Sequence, residues 1–126
     1  MTENEVSRQV YEAAIEVHKV LGGPGLLESV YEEALVFELQ SRGLIIDRQV
    51  PLPIKYKGII LASPLRIDIK VEGKVILECK AVAQYNEMFG CQVLTYLGLT
   101  GLKLGLVINF GERLVKNGIH RVVNRL

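Results

Sequence analysis

Residues 104–110 read Leu-Gly-Leu-Val-Ile-Asn-Phe, a nearly uninterrupted apolar run. A strand with one wet face alternates apolar and polar side chains, so a run without alternation marks a strand covered on both faces. Lys74–Lys80 is a second strong strand, with Val75-Ile76-Leu77 at its centre. Between them, Asn86 to about Leu99 has helical spacing, with Met88, Cys91, Gln92, Thr95, Tyr96 and Leu99 near one another, and Gly101 ends it. A helix of that length serves as a crossover, so the two strands are expected to be parallel.

The rest of the chain supplies what such a sheet needs. Glu5–Leu21 is predicted to be an amphipathic helix, because Val6, Val10, Ala13, Ala14, Val17 and Leu21 recur at three- and four-residue steps. Gly22-Gly23-Pro24-Gly25 stops it. A second helix is predicted from about Leu26 to Ser41, with Leu27, Val30, Tyr31, Ala34 and Leu35 as its apolar stripe and Gly43 as its C-terminal cap. Extended structure is expected near Ile45–Tyr56, edge-like or bulged at the prolines near 51–53, then a turn at Lys57-Gly58 and a short strand at Ile59–Leu61. A firmer strand runs over Leu65–Val71. Asn117-Gly118 reads as a tight turn between Arg113–Val115 and Ile119–Val123. Strands segregated from helices, with one late crossover helix, indicate an α+β or mixed α/β fold. At 126 residues with 49% hydrophobic side chains, a single domain over residues 1–126 is expected.

Charge narrows the function. The net charge of +1 is not that of a strongly basic nucleic-acid binder, but its distribution is uneven. Residues 1–43 carry three basic and eight acidic side chains, and the remainder carries twelve basic and six acidic ones. A polyanion is steered toward the C-terminal two-thirds, although charged residues also serve simply as the solvated faces of elements. No apolar run is long enough to span a bilayer. The acidic start, Met1-Thr2-Glu3-Asn4-Glu5, is not a signal or transit peptide, which makes the cytoplasm the expected compartment. Cys79 and Cys91 have neither CxxC spacing nor a nearby His pair, arguing against structural zinc or a disulfide framework.

The informative residues are charges inside buried strands. Asp68 lies between Ile67 and Ile69, and Val75–Lys80 ends with Glu78-Cys79-Lys80. Side chains alternate along a strand, so Glu78 and Lys80 share one face and Cys79 takes the other. A two-residue turn at Glu72-Gly73 places Asp68 opposite Leu77, facing away from Glu78. A three-residue loop, Val71–Gly73 or Glu72–Lys74, brings Asp68, Glu78 and Lys80 to one face. Hydrolytic chemistry requires that odd-length loop or an equivalent bulge. Two carboxylates and a lysine so placed suit Mg²⁺ or Mn²⁺, which polarises a phosphoryl oxygen and activates water, with the ammonium stabilising charge on phosphate. A structural salt bridge of Asp68 or Glu78 with Lys80 explains the same short pattern. Gln92 and Tyr96 share a helix face that a crossover entering after Lys80 directs at the strand ends, although interface packing also accounts for them. Glu28 and Tyr31 lie behind the glycine-rich loop, where a first-turn glutamate also suits the helix dipole. The loop itself suits either a phosphate cradle or a plain turn, and no Lys-Ser/Thr follows to make a Walker loop.

Gly25-Leu26-Leu27-Glu28-Ser29-Val30-Tyr31 resembles the signature of the GxxExxY protein family. The resemblance extends through Arg48-Gln49-Val50-Pro51-Leu52, Arg66-Ile67-Asp68, Leu77-Glu78-Cys79-Lys80-Ala81-Val82, Gln92 to Tyr96, and Leu106-Val107-Ile108-Asn109-Phe110-Gly111. That family is placed in the PD-(D/E)XK nuclease-like superfamily. The resemblance implies a restriction-endonuclease-like αβββαβ core, here with an extra N-terminal helix and a C-terminal hairpin. It implies metal-binding roles for Asp68 and Glu78, a catalytic role for Lys80, a further catalytic and metal-binding acid in Glu28, and the backbone carbonyl of Cys79 as an additional metal ligand. Gln92 and Tyr96 match a Q-x-x-x-Y element that forms part of the active site. Ile67 replaces the proline of the motif, and Phe89 stands where relatives often carry a histidine.

The expectation is a Mg²⁺- or Mn²⁺-dependent nuclease-type phosphodiesterase acting on nucleic acid, DNA before RNA. The alternative is a non-catalytic nucleic-acid-binding or assembly module that retains the fold. A Cys–His hydrolase is disfavoured, since neither cysteine has an identifiable base. His18 is expected at the surface, and His120 has no evident partner. Arg48, Lys55, Lys57, Arg66, Lys70, Lys103, Arg113 and Arg121 are candidates for backbone contacts, and no aromatic interleaving implies single-strand stacking. A homodimer suits double-strand cleavage, and no membrane contact is expected.

Overall fold

A computed structural model describes all residues from Met1 to Leu126. Helix α1 (Glu3–Val20) starts at Thr2, whose hydroxyl accepts from the Glu5 amide at 3.1 Å. Its stripe of Val6, Val10, Ala13, Ala14 and Val17 is buried as the periodicity predicts. Helix α2 (Glu28–Ser41) closes in a Schellman motif: Gly43 has φ 84°, its amide reaches Gln40 O, and the Leu44 amide reaches Leu39 O. The stripe predicted for α2 is only half right. Tyr31 and Leu35 are buried, whereas Leu27 and Val30 are exposed and Glu32 and Leu39 are buried in their place.

Five strands form the main sheet, in the order β1 (Ile46–Leu52), β4 (Leu65–Val71), β5 (Val75–Lys80), β6 (Leu104–Asn109) and β7 (Ile119–Val123). The long strand expected over 45–56 is divided. β1 ends at the prolines, and β2 (Lys55–Tyr56) pairs with β3 (Ile59–Ile60) in a separate small hairpin turning at Lys57-Gly58. β1 is an edge strand, which is where Pro51 can be carried without losing a needed donor. β5 and β6 are parallel, joined by α3 (Met88–Thr100), and the other neighbours are antiparallel. The C-terminal strand pairs back on β6, not on residues 113–115, and residues 115–118 form a 3₁₀ turn. No helix is long and apolar enough to cross a membrane.

One layer packs α1 and α2 on the sheet through Val10, Tyr31, Leu35, Ile69, Leu77 and Leu106. The other packs α3 through Val93, Tyr96, Leu97, Ile67, Ile76 and Val107. β6 is thus covered on both faces, as its unbroken apolar sequence requires. The buried side of α3 differs from expectation: Met88, Cys91 and Leu99 are exposed, while Val93 and Leu97 are buried. Gly105 explains the approach of α3, because a Cβ there would lie 2.3 Å from a Val93 methyl.

Candidate active site

The loop between β4 and β5 spans three residues. Val71 pairs with Val75, and Glu72 (φ 54°) and Gly73 (φ 63°) take left-handed conformations. The register runs Ile69 with Leu77, and continuing it sets Asp68 opposite Glu78, the arrangement that the chemistry required. The backbone ladder stops there. The Asp68 amide donates to Glu78 Oε1 at 3.2 Å, and the Cys79 amide donates to Asp68 Oδ2 at 3.0 Å. Two carboxylates therefore occupy a gap between adjacent strands and satisfy amides that strand pairing would otherwise satisfy.

A break in the pleat opens this gap. Ile67 and Ile69 should share a face, yet Ile67 packs under α3 and Ile69 under α1 and α2. Across from Asp68, Gln49 on β1 has φ 53°, and the bridges on either side of it (Arg48 with Ile69, Val50 with Ile67) keep an unchanged register. Both strands thus reverse their faces at the same level, and Asp68 falls at the crossover. Cys79 keeps its side chain buried on the α1/α2 face, away from Glu78. Its amide points at Asp68, and the amide and carbonyl of one extended residue project to the same strand edge. The Cys79 carbonyl accordingly faces the gap.

Electrostatics mark the gap as anion-crowded. Burial first, then the charge of Asp68, pushes the Glu78 carboxyl up to about 8. Burial also raises Asp68, opposed by the Cys79 amide. Glu28, at the first turn of α2, is raised by partial burial, with Lys80 lowering it and Asp68 and Glu32 raising it. Glu28 therefore senses both the gap and Lys80. The Lys80 ammonium lies 4.6 Å from the centroid of Phe89, on the same face as Glu78. Gln92 Nε2 donates to the Tyr96 hydroxyl at 2.8 Å, and the phenol is raised by burial and by the charge of Glu78. Thus the α3 residues approach the gap from one face of the sheet and α2 brings its acids from the other.

Several side chains in this neighbourhood escape the sequence reading. Glu32 is buried (5% exposed) and held by Arg48 Nε and Gln49 Nε2, each at 2.7 Å from Oε2. The left-handed turn at Gln49 thus coincides with a side-chain bond to an acid that influences Asp68. Tyr31 stacks on Phe110 at 4.7 Å, donates to Gly23 O at 2.7 Å and accepts from the Leu26 amide, so it clamps the glycine-rich loop leading into Glu28. His18 is not at the surface: it is buried, with Nε2 3.0 Å from Phe110 O. His120 does have a partner, stacking on Tyr85 at 3.7 Å. Buried Asn109 bonds the Val82 amide and carbonyl, fixing the chain as it leaves Lys80. The sequence signals for these were a glutamine beside an arginine on β1 and an asparagine inside an apolar strand.

A nuclease-type α/β sheet with carboxylates at a parted strand pair defines the class, and the comparisons agree. The model of the PD-(D/E)XK nuclease superfamily matches residues 4–122, and the chain belongs to that superfamily. No curated protein and no solved structure matches the chain.

Nucleases of this superfamily generally use divalent metal ions. The donor set here fits one, judged by its chemistry. Asp68 and Glu78 are hard oxygen donors crowded enough to retain a proton, and a divalent cation neutralises such a pair better than a proton does. No three His, Cys, Asp or Glu side chains converge closely enough to hold an ion among themselves, so Glu28 does not complete a triad with Asp68 and Glu78. Mg²⁺ needs only one or two carboxylates because it keeps several waters.

Proposed function

We propose that the chain is a Mg²⁺- or Mn²⁺-dependent phosphodiesterase that hydrolyses nucleic acid, DNA in preference to RNA. The reading is carried by one observation: Asp68 and Glu78 face each other across an opened strand pair, with Lys80 next on the face of Glu78. A purely structural salt bridge leaves this arrangement unexplained, because none joins Lys80 to either acid.

Asp68, Glu78 and the Cys79 carbonyl would hold the ion, which when bound polarises a phosphoryl oxygen and acidifies water. Lys80 offers an ammonium group to the scissile phosphate, where negative charge grows during attack. Phe89 supports that ammonium from beneath without taking its charge. Glu28 orients the attacking water and draws its proton. The Gln92–Tyr96 pair donates hydrogen bonds to the phosphodiester on the α3 side. Asn109 and Val82 keep Lys80 at the end of its strand.

Purified protein is expected to cut labelled DNA when Mn²⁺ is added, and Glu78→Ala or Lys80→Ala is expected to abolish cutting. Cleavage that survives both substitutions, or that proceeds in a chelator, contradicts the assignment. Salt-sensitive DNA binding indifferent to metal, with no cleavage, identifies a binding module instead. One site cuts one strand, so double-strand cleavage calls for two copies, which light scattering detects.

A further inference from the structure

The small β2–β3 hairpin has an unusual surface. Tyr56, Ile59, Ile60 and Leu61 are 58%, 65%, 69% and 41% exposed, and they lie almost consecutively on one projecting unit. An isolated two-stranded hairpin is marginal in water, and a cluster of large exposed apolar side chains marks a surface that meets something. The charge around it is one-sided. From Arg48 to Ile67 the chain holds no acidic residue, while Arg48, Lys55, Lys57 and Arg66 are basic and exposed. The Lys57 ammonium lies 5.4 Å from the Tyr56 ring centroid.

Its place in the fold matters. The hairpin prolongs the β1–β4 pair beyond Leu52 and Leu65. Leu65 is three residues, roughly 10 Å, from Asp68 along β4. β4 and β5 run antiparallel, so the hairpin springs from the end of the sheet that carries Glu78 and Lys80.

We propose that residues 53–64 form a nucleic-acid docking arm, in which Lys55 and Lys57 contact phosphates while Tyr56 and Ile59, cross-strand partners on one face of the hairpin, pack against base faces. A phosphate backbone matches the cations, and base faces match the apolar tip, as wedge residues and stacking platforms do elsewhere. A second protein chain would match the apolar side chains but leave Lys55, Lys57 and Arg66 without a counterpart, Arg48 being paired with Glu32. The inference rests on the nuclease reading and identifies how that site's substrate is gripped.

The test uses the full chain carrying Glu78→Gln, so that nothing is cut, and a labelled 20-base-pair DNA with a single-stranded tail containing 2-aminopurine. Tyr56→Ala and Ile59→Ser are each expected to weaken binding about tenfold, with the salt slope unchanged and the 2-aminopurine signal lost. Lys55→Ala/Lys57→Ala is expected to lower the log–log salt slope by roughly 1–2. Circular dichroism checks that each variant folds, as expected for exposed positions. Unchanged affinity in all three variants overturns the arm while leaving the nuclease reading intact, provided wild-type protein cuts DNA with Mn²⁺. Weakened self-association in light scattering with unaltered DNA binding also overturns it, because the patch then joins copies of the chain. Absence of both cleavage and DNA binding in wild-type protein removes the nuclease reading and the arm together.

Discussion

The Cys79 amide donates to the Asp68 carboxylate at 3.0 Å, at a level where β4 and β5 no longer bond through their backbones. A side chain has taken over a ladder position, and with it the strands are held apart by two acids. The same contact fixes Asp68 against the strand that carries Glu78 and Lys80. The gap is therefore a built feature, with its amides satisfied before any ligand arrives.

The first prediction concerns pH. Glu78 holds its proton in the folded chain up to about 8, well above the ordinary carboxylate range. Between those values the folded state binds more protons than the unfolded state, so metal-free stability falls as pH rises through that window. Melting temperatures in chelator should drop between about pH 5 and about pH 9. Glu78→Gln should flatten that fall and melt higher than wild type at the alkaline end. A wild-type melting temperature that rises with pH contradicts the raised carboxyl.

A metal ion held in the gap would compete with the proton for the same oxygens. Metal affinity should therefore tighten as pH approaches the Glu78 value, with protons released on binding. Calorimetry in two buffers of different ionisation enthalpy measures the release. Adding Mn²⁺ should also raise the wild-type melting temperature at alkaline pH and leave Glu78→Gln little changed.

In the proposed mechanism, Lys80 separates binding from chemistry. Lys80→Met should leave Mn²⁺ affinity near wild type and take cleavage below detection, a loss of at least about 10²–10³ in rate. Phe89→Ala removes the ring 4.6 Å from the ammonium and should lower the rate less, with metal affinity again unchanged. Single-turnover rates with separately measured metal affinity decide the point.

Arg48 and Gln49 hold a buried carboxylate, Glu32, from the surface of an edge strand. Arg48→Ala should destabilise the fold by about 1.5–3 kcal/mol. Pairing it with Glu32→Gln should recover part of the loss, since the orphaned charge is then gone. Urea denaturation of both variants gives the comparison.

Much of this was legible in the residues, and the failures have physical causes. The run Leu104–Phe110 and the crossover spacing led to a parallel β5–β6 pair, because both depend on local pattern. Strand parity left Asp68 opposite either Leu77 or the Glu78 face, the hydrolytic chemistry selected the second, and both assumed a continuous pleat. The reversal at Gln49 and Asp68 was hidden because glutamine carries no conformational signal for positive φ. Nothing beside Glu32 in the sequence marks it as buried, since its partners lie on a later strand. His18 looked superficial beside Lys19, and only the Phe110 carbonyl, 92 residues on, explains its burial. Helix α3 has no charged residue in Met88–Thr100, so its apolar pattern did not distinguish the buried face from the exposed one.

The most direct test of the metal centre is titration of Mn²⁺ followed by electron paramagnetic resonance, on wild type and on Asp68→Asn. Wild-type protein should take up the ion at a site that Mg²⁺ competes for, and the substitution should abolish that uptake while circular dichroism stays native. Equal uptake by both proteins, or none by the wild type, would contradict a metal centre in the gap between β4 and β5.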